Sequence, residues 1–161
     1  MTTQSGPPAL NLVCSPTLLS TPLPAALSVP DGRLGLETIR ALLARLGDPQ
    51  DRLPPVFHVA GTNGKGSTAL LLAALLKQDG FRTGCYTSPH LVDLRERIQI
   101  DGRCAGIQQF VDVAARTLEI SRNPQCPQIS FFDLVTAIAL KVFAKAQCDW
   151  VVLETGLGGK A

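Results

Sequence analysis

The chain has 161 residues, 45% hydrophobic and 17% charged, with a formal net charge of +2 at pH 7. That is enough for one ordinary core, but the charge is too small and too evenly spread for a nucleic-acid footprint. No apolar run reaches the roughly eighteen residues of a membrane span.

Residues 1–33 contain six of the twelve prolines, and no charged side chain occurs before Asp31. An extended or disordered N-terminal segment is expected there, without the basic start of a secretory leader. In LGLETIRALLARL (34–46), Leu36, Ile39, Leu42, Leu43 and Leu46 recur at helical spacing. Gly47 and Pro49 supply the stop, so the stretch reads as a surface helix. PVFHVA (55–60), apolar and bounded by prolines and a glycine, predicts a buried strand. The helix after it, Ser67 to about Asp79, is apolar nearly all round, the pattern of a helix packed on both flanks.

RTGCY (82–86) predicts the next strand, completing a strand, helix, strand unit with a right-handed crossover. RIQI (97–100), followed by Asp101-Gly102, reads as a hairpin arm or an edge strand. Ile107, Phe110, Val111, Ala114 and Leu118 outline a further amphipathic helix. FFDLVTAIALKVFAKA (131–146) outlines another, with Phe131, Leu134, Val135, Ile138, Val142 and Phe143 inward. DWVVLE (149–154) predicts a buried parallel strand ending on a carboxylate. The alternation predicts an α/β fold with a mostly parallel sheet. The five cysteines, 14, 85, 104, 126 and 148, include no C-x-x-C pair and no histidine at ligand spacing, as expected of reduced thiols in a cytoplasmic protein.

HVAGTNGKGSTALLLAALL (58–76) puts three glycines and a lysine between a strand and a helix. Glycines there cost conformational entropy unless something must approach the main chain. A phosphate is such a ligand: the turn aims several N–H groups and the positive helix end at one point, and Lys65 adds a full charge. The candidate cradle is Gly61, Thr62, Asn63, Gly64, Lys65, Gly66, Ser67 and Thr68. Its spacing departs from the usual P-loop, since two residues separate Gly61 from Gly64 and Gly66 precedes Ser67. The competing reading is a turn that only lets helix and strand pack. Glu154, at the carboxyl end of WVVLE, occupies the place of a magnesium-binding carboxylate in P-loop proteins. Its alternative is a surface charge at a strand end.

Five ordered blocks, GLETIRALLARLGDPQ, HVAGTNGKGS, GCYTSPHLVDLRERIQIDG, SFFDLVTAIAL and VVLETGLGG, give the stretch from about Leu34 to Ala161 a specific resemblance. It resembles the amino-terminal part of folylpolyglutamate and dihydrofolate synthetases, members of the Mur ligase superfamily. TSPHL and SFFDL fit this folate branch better than the cell-wall Mur ligases. The resemblance implies a P-loop NTPase-like three-layer core, here an incomplete Mur ligase central domain (34–161). It also implies a complete enzyme that binds ATP and Mg²⁺ and adds L-glutamate to dihydropteroate or folate through an acyl phosphate, with Lys65 as the catalytic cation.

By the same resemblance Thr62 to Ser67 hold the ATP phosphates, Ser88 and Glu154 are metal ligands, and Ser130, Phe131, Phe132 and Asp133 line the pteroate site. His58 and His90 read as structural. Two positions depart from the family's usual residues: Asp133 stands for Glu, and Lys160 for Arg. Family members continue into a histidine metal ligand, a carboxylated lysine and a second α/β domain, so this chain is expected to be a fragment, inactive by itself. The partners implied are small molecules, with a monomer when complete. A non-catalytic nucleotide-binding remnant is the rival reading.

Overall fold

The computed structural model describes residues 36–156. The expectations for residues 1–33 and for Lys160 lie outside them. Four helices and five short strands follow in the order α1 (Glu37–Arg45), β1 (Val56–Val59), α2 (Lys65–Gln78), β2 (Thr83–Tyr86), β3 (Ile98–Ile100), β4 (Arg103–Cys104), α3 (Ile107–Ser121), α4 (Phe131–Ala146) and β5 (Trp150–Glu154). Short 3-10 turns at Pro49–Arg52 and Leu94–Arg97 complete the order.

The sheet runs β1-β5-β2-β3-β4. β5 pairs in parallel with β1 on one side and β2 on the other, whereas β2–β3 and β3–β4 are antiparallel. The sheet is therefore mixed rather than mostly parallel. RIQI and its Asp101-Gly102 turn do form the expected hairpin, and both turn residues have φ in the left-handed region, 52° and 72°. The hairpin is what introduces the antiparallel pairings.

The larger core lies between the sheet and α1, α3 and α4, and contains Leu42, Leu43, Phe110, Val113, Leu134, Val135, Ile138, Val142, Phe143 and Val151. A smaller cluster, Ala69, Ala73, Cys85 and Val152, lies under α2. With a helix layer on each face of the sheet, this is a three-layer arrangement. α1 stops where Gly47 turns left-handed at φ 79° and returns its N–H to Ala44, a glycine C-terminal stop. α4 starts on Ser130, whose hydroxyl accepts the Asp133 N–H at 3.0 Å.

Three expectations are corrected. β1 is an edge strand, with Val56 and Phe57 partly exposed, because among the described residues it pairs only with β5. α2 starts at Lys65 and buries little more than Ala69 and Ala73, leaving Leu70, Leu71 and Leu75 exposed. Its all-round apolar composition overstated how much of it these residues cover. In α3 the inward stripe runs through Phe110, Val113 and Thr117, while Ile107 and Val111 face out. Thr117 can sit there because its hydroxyl donates to the Val113 carbonyl at 2.7 Å.

β2 and α4 meet at one tight point. A Cβ on Gly84 would lie 2.7 Å from Phe143 Cδ1, and Phe143 is fully buried. Gly84→Ala is therefore expected to destabilise the protein by about 1–3 kcal/mol through overpacking. Urea unfolding of the variant beside its parent measures this, and an unchanged midpoint would show that the ring moves aside without strain.

Candidate functional site

α2 follows β1 directly, so its amino end lies at the carboxyl end of that strand. α4 precedes β5 and runs antiparallel to it, which brings its first turn to the carboxyl end of β5. The loop after β2 starts at the same edge. This edge of the sheet is where open α/β sheets bind ligands, and the candidate residues gather there from four separate stretches of chain.

Gly61 (φ 153°) and Gly64 (φ 73°) both adopt backbone conformations that favour glycine, and Gly64 caps α2. The Gly64 carbonyl accepts the Thr68 N–H at 2.9 Å, which leaves the N–H groups of Lys65, Gly66 and Ser67 without helical acceptors. They converge at the positive end of a fourteen-residue helix. The stem of Lys65 folds beside Gly61: a Cβ built on Gly61 would be 3.9 Å from Lys65 Cγ. Among the described residues its ammonium has no carboxylate within salt-bridge distance.

Glu154 is 7% exposed and faces two of these segments. Its Oε2 accepts the Ser88 N–H at 2.7 Å. A Cβ on Gly66 would lie 3.4 Å from Oε2 and 3.5 Å from Oε1, so the absence of a side chain at Gly66 lets the helix pass over the carboxylate. No Lys or Arg of the described residues pairs with Glu154, and Oε1 is not a sealed, unbonded atom. A buried carboxylate with one oxygen open and a serine beside it suits a hard cation that takes few protein ligands and keeps its waters. Three or more His, Cys, Asp or Glu grouped as a metal cage do not occur among the described residues, so any ion here would draw its other oxygens from solvent or a bound phosphate.

The SFFD segment forms the opposite wall. Ser130 and Asp133 are engaged with the fold: Ser130 caps α4, and Asp133 Oδ2 accepts the Thr38 hydroxyl at 3.1 Å. Phe132 is half-exposed, its ring 6.3 Å from that of Tyr86. A side chain at Gly156 would run onto the Phe132 ring, so the chain leaving β5 is bare where it passes that aromatic. Phe131 is covered on one face by the Arg97 guanidinium, 5.5 Å from the ring centroid. Both histidines have partners, His58 with the Thr155 hydroxyl and His90 with Arg97.

The Ser88–Arg97 loop is held from within. The Glu96 carboxylate accepts the N–H groups of Leu91, Val92 and Asp93 at 2.8–3.1 Å. Those bonds, that of Leu91 first, hold Glu96 below its ordinary carboxylate range. Arg95 does the same for Asp93, 2.7 Å away. Asp93 and Glu96 form a capping box, and the D-x-x-E spacing could have announced it in the sequence. Thr38, Tyr86 and Arg97 had no such signal.

No protein-family model matches the chain. The dihydrofolate synthetase of Saccharomyces cerevisiae is 39% identical over 129 residues, which cover 79% of this chain and 29% of that protein. The dihydrofolate synthase/folylpolyglutamate synthase of Escherichia coli is 40% identical over 131 residues, again 79% and 29%. Among solved structures, Escherichia coli FolC in complex with DHPP and ADP aligns at TM-score 0.74 and 38% identity, over 83% of this chain and 31% of that one. A bifunctional folylpolyglutamate synthase/dihydrofolate synthase with Mn, AMPPNP and L-glutamate bound gives 0.72 and 37%, over 83% and 32%. The chain thus spans about three tenths of the length of these relatives.

Burial first, and Glu154 second, push the Cys85 thiol up to about 12, and burial takes Cys148 up to about 11. A thiol in that range holds almost no thiolate near neutrality. Iodoacetamide at pH 8 is expected to alkylate the partly exposed Cys126 while leaving Cys85 and Cys148 unmodified until the chain is denatured. Mass spectrometry of the labelled peptides reads the result, and early labelling of Cys85 would mean that the layer beneath α2 is open.

Proposed function

The chain belongs to the folylpolyglutamate synthase/dihydrofolate synthase family, and from that premise we propose that it is the ATP- and Mg²⁺-binding portion of a carboxylate-amine ligase. The reaction is addition of L-glutamate to dihydropteroate, folate or both, within a P-loop NTPase-like Mur ligase core. The observation that carries this reading is the convergence of Gly66, Ser88 and Glu154, with three unbonded N–H groups and an unpaired Lys65, at one edge of the sheet. That arrangement suits a metal-bound polyphosphate and has no evident packing purpose.

In this reaction the acceptor carboxylate attacks the γ-phosphorus of ATP and ADP leaves, and the amine of glutamate then attacks the acyl carbon, losing a proton as inorganic phosphate departs. The N–H groups of Lys65, Gly66 and Ser67 with the Lys65 ammonium offset the charge that spreads over the transferring phosphoryl oxygens. Glu154 and Ser88 would hold the cation, which would neutralise phosphate charge. Phe131 and Phe132 offer ring surface to the aromatic body of the pteroate, and Ser130 and Asp133 fix the turn that presents them. Relatives' complexes with ADP, AMPPNP, Mn, DHPP and L-glutamate support the ligand classes. Because the chain spans only part of those relatives, the whole activity is assigned to a longer polypeptide that contains it.

In that longer polypeptide Lys65→Ala is expected to lower kcat on the order of 10²–10³-fold, the scale of losing one transition-state donor. Glu154→Gln is expected to raise the Mg²⁺ concentration needed for half-maximal rate. A steady-state glutamate-incorporation assay measures both. Wild-type behaviour of Lys65→Ala would refute the phosphate role, and an unchanged metal requirement in Glu154→Gln would refute the metal role.

A further inference from the structure

We infer that Arg97 is a substrate-binding residue of this site, holding the carboxylate of the acceptor beside Phe131; the inference rests on the ligase reading above. Arg97 is 8% exposed, yet no carboxylate of the described residues lies within 4.0 Å of it. Its neighbour Arg95 shows the contrast, since Asp93 binds that guanidinium through both oxygens at 2.7–3.2 Å. Burying a cation without a counter-charge is unfavourable, so a guanidinium left here for structure alone would weaken the fold.

Three groups fix its position. Nε donates to His90 Nδ1 at 2.9 Å, the planar head lies over Phe131, and Tyr86 is close enough for Arg97 to lower its phenol pKa against the rise that burial causes. Of the five guanidinium N–H donors, Nε–H is taken by His90 and one more faces the Tyr86 hydroxyl, while no terminal nitrogen is among the buried unsatisfied atoms. The stem is therefore enclosed while part of the fork remains reachable. A planar fork with free donors, stacked on an aromatic ring, matches a carboxylate carried by an aromatic body.

An anion at this point has two sources, the acceptor carboxylate or a phosphoryl group of the nucleotide. Arg97 lies over Phe131 and beside Tyr86 of the aromatic wall, whereas Gly66 of the phosphate turn meets Glu154, so the acceptor is the assigned source.

The test uses the full-length enzyme with wild type, Arg97→Met and Arg97→Lys, measuring KM for the pteroate or folate acceptor and for ATP separately. Expected are an acceptor KM at least tenfold higher in Arg97→Met and at least threefold higher in Arg97→Lys, with the ATP KM within twofold of wild type. An unchanged acceptor KM overturns the inference, as does a parallel rise in both constants, which would mark a phosphate-binding or purely structural arginine. Should Arg97→Met fail to fold by circular dichroism, Arg97→Lys decides alone by the same criterion. A wild-type enzyme without ligase turnover would sink the functional reading instead. Calorimetric titration of the acceptor into wild type and Arg97→Lys then still judges Arg97, equal affinity or no binding to either overturning it.

Discussion

A carboxylate cannot be buried cheaply, and the one at the end of β5 organises everything around it. Glu154 accepts a single N–H bond from Ser88 and lies under Gly66. Burial of an ionised group is sustained by hydrogen bonds, a counter-charge or a metal, and the described residues supply only the first of these. The strand order makes the meeting possible: because β5 sits between β1 and β2, the segments leaving those two strands flank the end of β5. Glycine at position 66 is then a steric requirement, since a Cβ there would sit against both carboxylate oxygens.

The same logic of clearance sets the depth of α4. Phe143 reaches the sheet over Gly84, and Phe132 reaches the chain beyond β5 over Gly156. Ser130, capping the first turn, and the Thr38–Asp133 bond from α1 hold the amino end of that helix. The aromatic wall is thereby registered against Glu154 through packing alone, with no direct bond between the two. A substituent in the core at Gly84 presses on the helix that carries Phe131 and Phe132.

Elements with one dominant period were legible in the sequence. α4 begins and ends where its apolar stripe does, and β5 is the buried parallel strand that its unbroken apolar run announced. Segments whose composition exceeded their environment were misread. PVFHV has the residues of a buried strand but lies at an edge, and α2 is apolar on faces that residues 36–156 do not cover. Composition reports what a segment is able to bury, and topology decides what covers it. In the site, the glycines and acid stood out because their residue types carry a local physical argument. Tyr86, Thr38 and Arg97 did not, because a tyrosine in a strand, a threonine on a helix and an arginine before a hairpin are ordinary until the fold brings them to one edge.

Charge gives the last step of synthesis. Arg82, Arg95 and Arg116 each meet a carboxylate within 4.0 Å, and only the Arg95–Asp93 pair is largely buried. Lys65 and Arg97 pair with no acid of the described residues, and of the two Arg97 is buried. Neither cation has its charge offset by an acid of the described residues. Attraction to such a charge is strongest where water is excluded, because the effective dielectric falls with burial. On the function proposed above, an anionic ligand at this edge would supply the missing counter-charge. Exposed pairs elsewhere contribute little to stability, and other cations of the described residues also lack an acid, so it is the burial of Arg97 without a carboxylate that sets this edge of the sheet apart.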